Sequence, residues 1–568
     1  MQNLKKNISD ALLKALNESF SAEGLPTASE IEKLLEYPPE NMGDLAFPCF
    51  RFSKLLRKSP VMIAEALKGA FSCEGIERTE AVSGYLNFYI SNEYYSALVP
   101  KIIGEGEKYG MGTEGEGKNV VLDYSSPNIC KPFHIGHLAS TIIGHSIKKI
   151  YEFLGYNCIG VNHLGDWGTQ FGKQIAAYKM WGSREEVEKG GCDELVRLYV
   201  RFHEESEKDP TLGDVARAEF TKLENGDEEN TELWRWFVEI SLGECNKTYE
   251  KLGIKFDSYN GESFYTDKMP EQVELLREKN LLKIDNGASI VDLEDSGMPP
   301  CLILKSDGST LYPARDIAAA VYRDRTYNFE KCIYVTASQQ CLHFAQWFKV
   351  VEKMGYDFAD KLVHVPYGMV SIDGAKLATR TGNVILIRDL ISAAVEKVSA
   401  VIDEKNPDLE NKNEVAEAVG VGAVVFHYLL NSRIKDMNFV MDEALSFDGN
   451  TGPYSQYTYA RTCSILEKAG DFSADGVKVT EPSEAELAKT LSKFGEAVKN
   501  AAIDYEPSVI TRYILDVCAA FNRFYHDCPI IGAEDDGVRA SRLALTKATN
   551  IVLGSALPLI CLKTPRKI

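Results

Sequence analysis

No apolar run in the 568 residues approaches the roughly 18 that a membrane-spanning helix needs. The two best stretches, Gly420 to Leu430 and Ile551 to Leu562, are shorter, and Pro558 interrupts the second. No CxxC pair occurs, so the thirteen cysteines carry no zinc-knuckle spacing. They read as free or buried thiols of a reducing compartment. Histidine is scarce at nine, scattered except for one close pair. Positive charge is short too: 63 Lys and Arg against 83 Asp and Glu leave a net charge of −20. Composition alone therefore ranks a nucleic-acid partner low, although an acidic bulk can still present a local basic groove. A secretory signal is missing as well. Leu4, Ile8, Leu12 and Leu16 recur among polar neighbours as on an amphipathic helix. These absences point to a cytoplasmic protein with no membrane partner.

What is present divides the chain into three stretches, because 568 residues exceed one hydrophobic core. Residues 1–115 read as an α+β unit: a helix, the breaker-rich Tyr37 to Asp44, a second helix, and the strand-like Gly84 to Ile90. A Gly- and Glu-rich linker, Gly110 to Lys118, closes it. Residues 118–395 alternate strand and helix signals. Val120 to Leu122 is a short buried strand, and Leu138, Ile142, Ile143, Ile147, Ile150 and Leu154 mark a helix face that ends at Gly155. Cys158 to Val161 completes a βαβ unit. Charged helical patterns over about 183–290 read as an insertion, after which the alternation resumes. Ser306-Asp307-Gly308 suits a hairpin turn between Cys301–Leu304 and Leu311–Tyr312, and Ile333–Val335 and Leu362–Val365 are further strands. The expected fold is an α/β Rossmann-like, doubly wound sheet with an insertion, whose ligands sit at the carboxyl ends of the strands. Strand signals vanish over 396–568, read as an all-α helical bundle.

The most informative segment follows the first strand: Ser125-Ser126-Pro127-Asn128-Ile129-Cys130-Lys131-Pro132-Phe133-His134-Ile135-Gly136-His137. His134 and His137 share one face at a helix start. Gly136 between them removes a side chain and lets a ligand approach the backbone. Free N–H groups and the positive helix end suit a polyphosphate. Imidazoles aimed at an α-phosphate can stabilise charge that builds during in-line displacement.

Here the chain resembles the class I aminoacyl-tRNA synthetases, whose first signature is His-Ile-Gly-His and whose second is a mobile Lys-Met-Ser-Lys-Ser loop. About 240 residues downstream stand Lys376-Leu377-Ala378-Thr379-Arg380 and Thr381-Gly382-Asn383. Leu377, Ala378 and Thr379 depart from that second signature. Lys131 is similar to a lysine that stands in for the missing one, since an ammonium near the phosphates need not come from the loop. The resemblance implies ATP-binding by His134, Gly136, His137, Lys376 and Arg380, and catalytic roles for His134, His137, Lys131, Lys376 and Arg380. Mg²⁺ travels with ATP on this reading, because no acidic cluster suggests a fixed cage.

Longer stretches are similar to the arginyl-tRNA synthetases in particular: SSPNICKPFHIGHL, VNHLGDWGTQFG, LYPARDIAAA, SQQCLHFAQWF and GNTGPYSQYTYAR. An arginine side chain is a planar charged fork that prefers paired carboxylate oxygens. The resemblance implies Asp123, Asn128, Tyr312, Asp316 and Gln340 as arginine contacts, with Asp123 and Asp316 on the guanidinium. Asn128 and Gln340 hold the amino-acid end, with Gln339 as the alternative to Gln340. His163, Trp167 and His343 are open between substrate contact and scaffold, and Asp316 between contact and a salt bridge with Arg315.

The resemblance extends to the RNA. Tyr454, Gln456, Tyr457 and Arg461 are the expected contacts of the helical bundle with arginine tRNA, since aromatics beside cations suit unstacked bases. The first unit looks like the extra N-terminal domain of this family, with Asn87 and Phe88 as candidate contacts. The implied reaction is activation of L-arginine by ATP to arginyl-adenylate, then transfer to the tRNA's terminal adenosine by a monomer. Two other classes compete: an adenylate-forming enzyme for another substrate, and a binding protein that kept the fold without the chemistry.

Overall fold

The apolar run at Val120 forms the centre of a four-stranded parallel sheet. In the computed structural model, strand β1 (Asn119–Asp123) leads into helix α1 (Ile135–Phe153) and strand β2 (Asn157–Val161). The chain later returns through α2 (Tyr312–Tyr327), β3 (Phe329–Ala337), α3 (Cys341–Lys353) and β4 (Leu362–Tyr367). Residues 1–568 are described except Glu40, Pro132, 373–374 and 377–384, with backbone alone at Gln2, 372, 375 and 376.

The sheet order is β4-β3-β1-β2, all parallel. The chain therefore leaves β1 toward one edge and comes back on its other side at β3. That reversal opens a crevice at the carboxyl ends of β1 and β3, where such sheets bind ligands. Helix α1 packs close enough that a Cβ at Gly144 would collide with the Tyr124 ring.

The insertion is a helical cluster, Arg184–Lys208, Leu212–Glu224 and Glu228–Leu252, with its own core around Phe171, Leu198, Phe202 and Phe237. Two expectations for the stretch that follows need correction. Cys301–Leu304 does not rejoin the parallel sheet; it is the edge of a separate antiparallel sheet with Leu282–Asp285 and Ala288–Val291. The turn at Ser306–Gly308 does form, with Lys305 N–H donating to Ser309 O at 2.9 Å, and its second arm ends at Leu311, whose N–H donates to Ile303 O at 3.0 Å. Pro313 in the first turn suits a helix start, and Tyr312 opens α2 instead of a strand.

The first unit packs helices Gln2–Ser19 and Pro60–Ala70 on a three-stranded sheet of Leu45–Pro48, Tyr85–Ile90 and Ile76–Val82. Leu4, Ile8, Leu12 and Leu16 are all buried, as their spacing predicts. This unit docks on the helical bundle through Lys5–Glu496 at 2.7 Å and Lys489–Asp44 at 2.9 Å. Helix α4 (Ile387–Lys405) runs unbroken across residue 396, so the chain does not change unit at that point. The last stretch also holds one strand among the described residues, Met437–Phe439, which pairs in parallel with Val370–Ile372. From Gly452 onward it is helical. Among the described residues no helix is long and apolar enough to cross a membrane.

Candidate active site

The turn out of β1 is strained before it reaches the histidines. Ser125, Ser126 and Cys130 have φ of 71°, 47° and 59°, a region that side-chain-bearing residues seldom adopt. Buried hydrogen bonds hold it there. Ser125 N–H donates to Ser140 Oγ at 3.0 Å, Ser126 N–H to Asn162 Oδ1 at 3.1 Å, and Ser125 Oγ meets Tyr249 OH at 2.7 Å. The result is a fixed approach to the start of α1.

At that start the two imidazoles cap the helix with their Nδ1 atoms. His134 Nδ1 accepts the Gly136 N–H at 3.1 Å, and His137 Nδ1 accepts the His134 N–H at 3.2 Å. An Nδ1 that accepts leaves the proton on Nε2 in the neutral ring. The ring centroids lie 4.0 Å apart. Burial pushes both pKa values below the usual histidine value, His137 to about 3 with help from His134 beside it. The signature therefore offers two neutral Nε2–H donors at a positive helix end. Lys131 precedes them, its pKa lowered chiefly by burial and raised by the nearby Glu262.

The segment after the second signature is bonded to the first. Ile135 N–H donates to Ile385 O at 3.2 Å and Ile387 N–H to Phe133 O at 3.1 Å. Lys376 pairs by backbone with Ser371 in a short antiparallel strand. Arg380 lies outside the described residues.

The other wall is acidic. Asp316, on α2, accepts from His343 Nε2 at 2.6 Å. Beside it is Glu262, which sequence reading missed because it lies inside the presumed insertion. Its turn is built from the Asn162–Trp167 stretch. Glu262 N–H donates to Leu164 O at 2.9 Å, and Asp166 accepts from Ser263 N–H at 2.9 Å and Ser263 Oγ at 2.6 Å. Glu262 pairs with Arg315 at 2.8 Å. Burial nevertheless pushes its pKa up to about 7, and the neighbouring Asp316 and Asp166 raise it further against the pull of Arg315. A carboxyl so held gains by receiving another cation. Arg315, then, serves Glu262 and not Asp316.

Asp123 requires a correction. Its Oδ2 accepts from Arg323 Nη2 at 2.7 Å and its Oδ1 from Ser126 Oγ at 2.8 Å, with Arg323 1% exposed. Both oxygens are thus occupied by the chain itself, and Asp123 is the floor of the crevice, not a free partner for a guanidinium. His163 belongs to the same floor, 3.4 Å from Arg323 Nη2 and stacked on Tyr265. Trp167 packs edge-on against Phe220 and Trp234 and is scaffold. Asn128 is exposed, its amide lying so close to Gly165 that any side chain there would strike it. Tyr312 is 65% exposed at the start of α2. Gln339 donates to Met369 Sδ at 2.9 Å, whereas Gln340 has no side-chain partner among the described residues, which favours it as the free amide.

The RNA-side expectations fare unevenly. Asn87 and Phe88 are buried in the N-terminal sheet and cannot touch a partner. The same unit does expose Phe50, Leu55, Val61 and Met62 beside Arg51, Lys54, Arg57 and Lys58. None of those four cations forms an ion pair among the described residues, so they form a local basic patch on a chain of charge −20. In the bundle, Gln456 is fully buried and donates to Ala418 O at 3.1 Å and Lys563 O at 2.8 Å. Tyr454 accepts from Asn522 at 2.8 Å and packs inward. Tyr457 and Arg461 instead line a cavity of about 830 Å³ with Tyr525, His526 and Lys468. The Arg461 guanidinium lies 4.9 Å from the Tyr457 ring and 5.2 Å from that of Tyr525.

A parallel sheet with its switch point beside two helix-capping histidines, and the segment after the second signature bonded to the first, is the arrangement of the class I aminoacyl-tRNA synthetases. Comparison with known proteins narrows this. Residues 98–441 match the profile of tRNA synthetases class I (R), catalytic domain. Residues 2–90 match the arginyl tRNA synthetase N terminal domain and 455–568 the DALR anticodon binding domain. The chain is 49% identical over 573 residues to the arginine–tRNA ligase of Alkaliphilus metalliredigens, covering 100% of each. It is 52% identical over 536 residues to that of Clostridium perfringens, covering 93% of this chain and 95% of the relative. The solved arginyl-tRNA synthetase of Thermus thermophilus superposes with a TM-score of 0.83 at 26% identity over 100% of both chains. The chain belongs to the arginyl-tRNA synthetase family.

Proposed function

We propose that this crevice carries the ATP-dependent activation of L-arginine and its transfer to arginine tRNA, with the work divided as follows. The arginine carboxylate attacks the α-phosphorus of ATP in line, forming arginyl-adenylate and expelling pyrophosphate. The Nε2–H groups of His134 and His137 donate to the phosphate oxygens as charge builds on them. Gly136 leaves room for that approach, Lys131 adds a cation, and Lys376 and Arg380 come from the second signature. The guanidinium sits between Asp316 and Glu262, with Tyr312 at the rim, while Asn128 and Gln340 take the α-amino and carboxylate groups. The 2′-hydroxyl of the terminal adenosine then attacks the acyl carbon. Mg²⁺ enters bound to ATP.

Tyr457 and Arg461 read bases in their cavity, and the Arg51–Lys58 surface meets the RNA backbone. The enzyme works as a monomer in the cytoplasm, in keeping with thirteen free thiols. One observation supports the reading most strongly: two imidazoles cap a helix tip through Nδ1, and Lys131 just before them lies in the field of Glu262, which has Asp316 beside it. Charging of arginine tRNA with labelled arginine tests it, with lysine as the control. Incorporation of lysine at a comparable rate, or of neither amino acid, would refute it.

A further inference from the structure

Two carboxylates line the arginine slot, and each already holds one donor from the chain, but the donors differ in kind. Glu262 holds the guanidinium of Arg315 at 2.8 Å, a full charge that answers its own. Asp316 holds a single imidazole N–H, from His343 at 2.6 Å. A carboxylate has no proton to give, so the proton in this bond sits on His343 Nε2. Asp316 Oδ1 keeps no partner among the described residues. Asp316 is thus engaged at one oxygen and left open at the other.

His343 does not stand alone. Its ring meets the Phe344 ring edge-on at 5.6 Å, and Phe344 stacks flat on His364 at 4.3 Å and 6°. His364 Nε2 in turn lies 2.8 Å from Thr336 Oγ1, near the carboxyl end of β3. A continuous row of packed and bonded groups therefore runs from the rim of the central sheet to Asp316. The pair itself is half-open to water, with side-chain exposures of 30% for His343 and 25% for Asp316. At that exposure a polar contact of this kind adds little to folding stability. Its effect must be sought in where it points the carboxylate.

We propose that His343 is a positioning residue for substrate recognition: by holding Oδ2 of Asp316 it turns Oδ1 toward the incoming guanidinium and fixes the plane in which that planar fork must dock. A planar fork needs an acceptor oxygen held in its own plane, whereas an ammonium is drawn by charge from many directions. His343 thereby favours arginine over lysine. The inference rests on Asp316 being the guanidinium's carboxylate, as argued above.

Steady-state aminoacylation with the full-length enzyme and arginine tRNA tests it on three variants, His343→Ala, His343→Gln and Asp316→Asn. His343→Ala should raise the KM for arginine about tenfold, the scale of one missing hydrogen bond to a charged group. Its kcat, its KM for ATP and its Tm should stay close to those of the parent, and its preference for arginine over lysine should narrow. His343→Gln, whose amide N–H reaches a similar point, should recover most of the affinity. Asp316→Asn should raise the KM for arginine at least as much. If Asp316→Asn has no such effect, the assignment of the slot fails and this inference with it. If Asp316→Asn does have it but His343→Ala leaves arginine affinity intact, only the positioning role fails. That role is equally overturned if His343→Ala weakens arginine and ATP alike, or if the Gln variant is as impaired as Ala.

Discussion

His137 accepts the backbone N–H of His134 at 3.2 Å, so the second histidine of the signature is tied to the first through the main chain. The bond does two things. It caps the helix, and it commits His137 to the tautomer that presents Nε2–H. The histidines are therefore hydrogen-bond donors and not cations.

The first prediction concerns that role. His137→Ala should slow arginine activation about 10²–10³-fold, the usual effect of losing one donor to a developing oxyanion. The KM for arginine should change less than about twofold, because the hydrogen bond removed is one made in the transition state. Pyrophosphate exchange in the presence of tRNA, across a range of arginine concentrations, separates the two parameters. Since burial holds His137 near 3, its protonation should produce no step in kcat/KM for ATP between about pH 5 and 8.

A step is expected instead in arginine binding. Glu262 is pushed up to about 7 by burial. Below that pH its carboxyl is protonated and offers the guanidinium little; above it the carboxylate is charged. The KM for arginine should therefore fall as pH rises through about 7, and binding should release a proton. Calorimetry in buffers of different ionisation enthalpy measures the proton directly. Glu262→Gln should weaken arginine binding and remove the step.

The mix of success and failure in reading the chain follows from range. The helix start at His134 is legible because its signal is local: a strand, two histidines and a glycine within nineteen residues, 119–137. Glu262 is not, because what makes it part of the crevice is a turn held by Leu164 and Asp166, about a hundred residues away. Asp123 sits at the end of its strand as expected, but its engagement by Arg323 joins residues 200 positions apart. Asn87 and Phe88 failed for another reason. Strand periodicity shows that neighbours point to opposite faces, but not that both faces are covered. Gln456 and Tyr457 likewise sit side by side on one helix, one inward and one outward, which composition cannot order.

Those last pairs give opposite predictions. Arg461→Ala and Tyr457→Ala should raise the KM for tRNA with Tm unchanged. Gln456→Ala should instead destabilise the protein by about 1–3 kcal/mol, because it removes a buried amide and takes its donor from the Lys563 carbonyl. Denaturant melts beside charging assays decide between the two behaviours.

On the N-terminal unit, replacing Arg51, Lys54, Arg57 and Lys58 together by Gln should weaken tRNA binding and flatten its dependence on salt. Every phosphate left without its cation lowers the slope of log K against log salt by about 0.7–0.9. Arginine and ATP parameters at saturating tRNA should not move. Filter binding over a salt series is the measurement. An unchanged slope would mean that this surface does not meet the RNA.

The floor of the crevice gives a final prediction. Arg323→Met should cost about 3–5 kcal/mol, since it leaves Asp123 as a buried carboxylate without its cation. The double variant Arg323→Met with Asp123→Asn should recover part of that loss. Chemical denaturation of the single and double variants measures the coupling.

The short ladder between Val370–Ile372 and Met437–Phe439 has a reach beyond its size. On its other edge hangs the pair Ala375–Lys376, so three segments make one ribbon. One margin of that ribbon leads into the second signature. The other is covalently continuous with the helical bundle that carries Tyr457 and Arg461. The strand that enters the second signature and the segment that leads into the bundle are thus joined by main-chain hydrogen bonds, so neither can slide along the other without breaking that ladder.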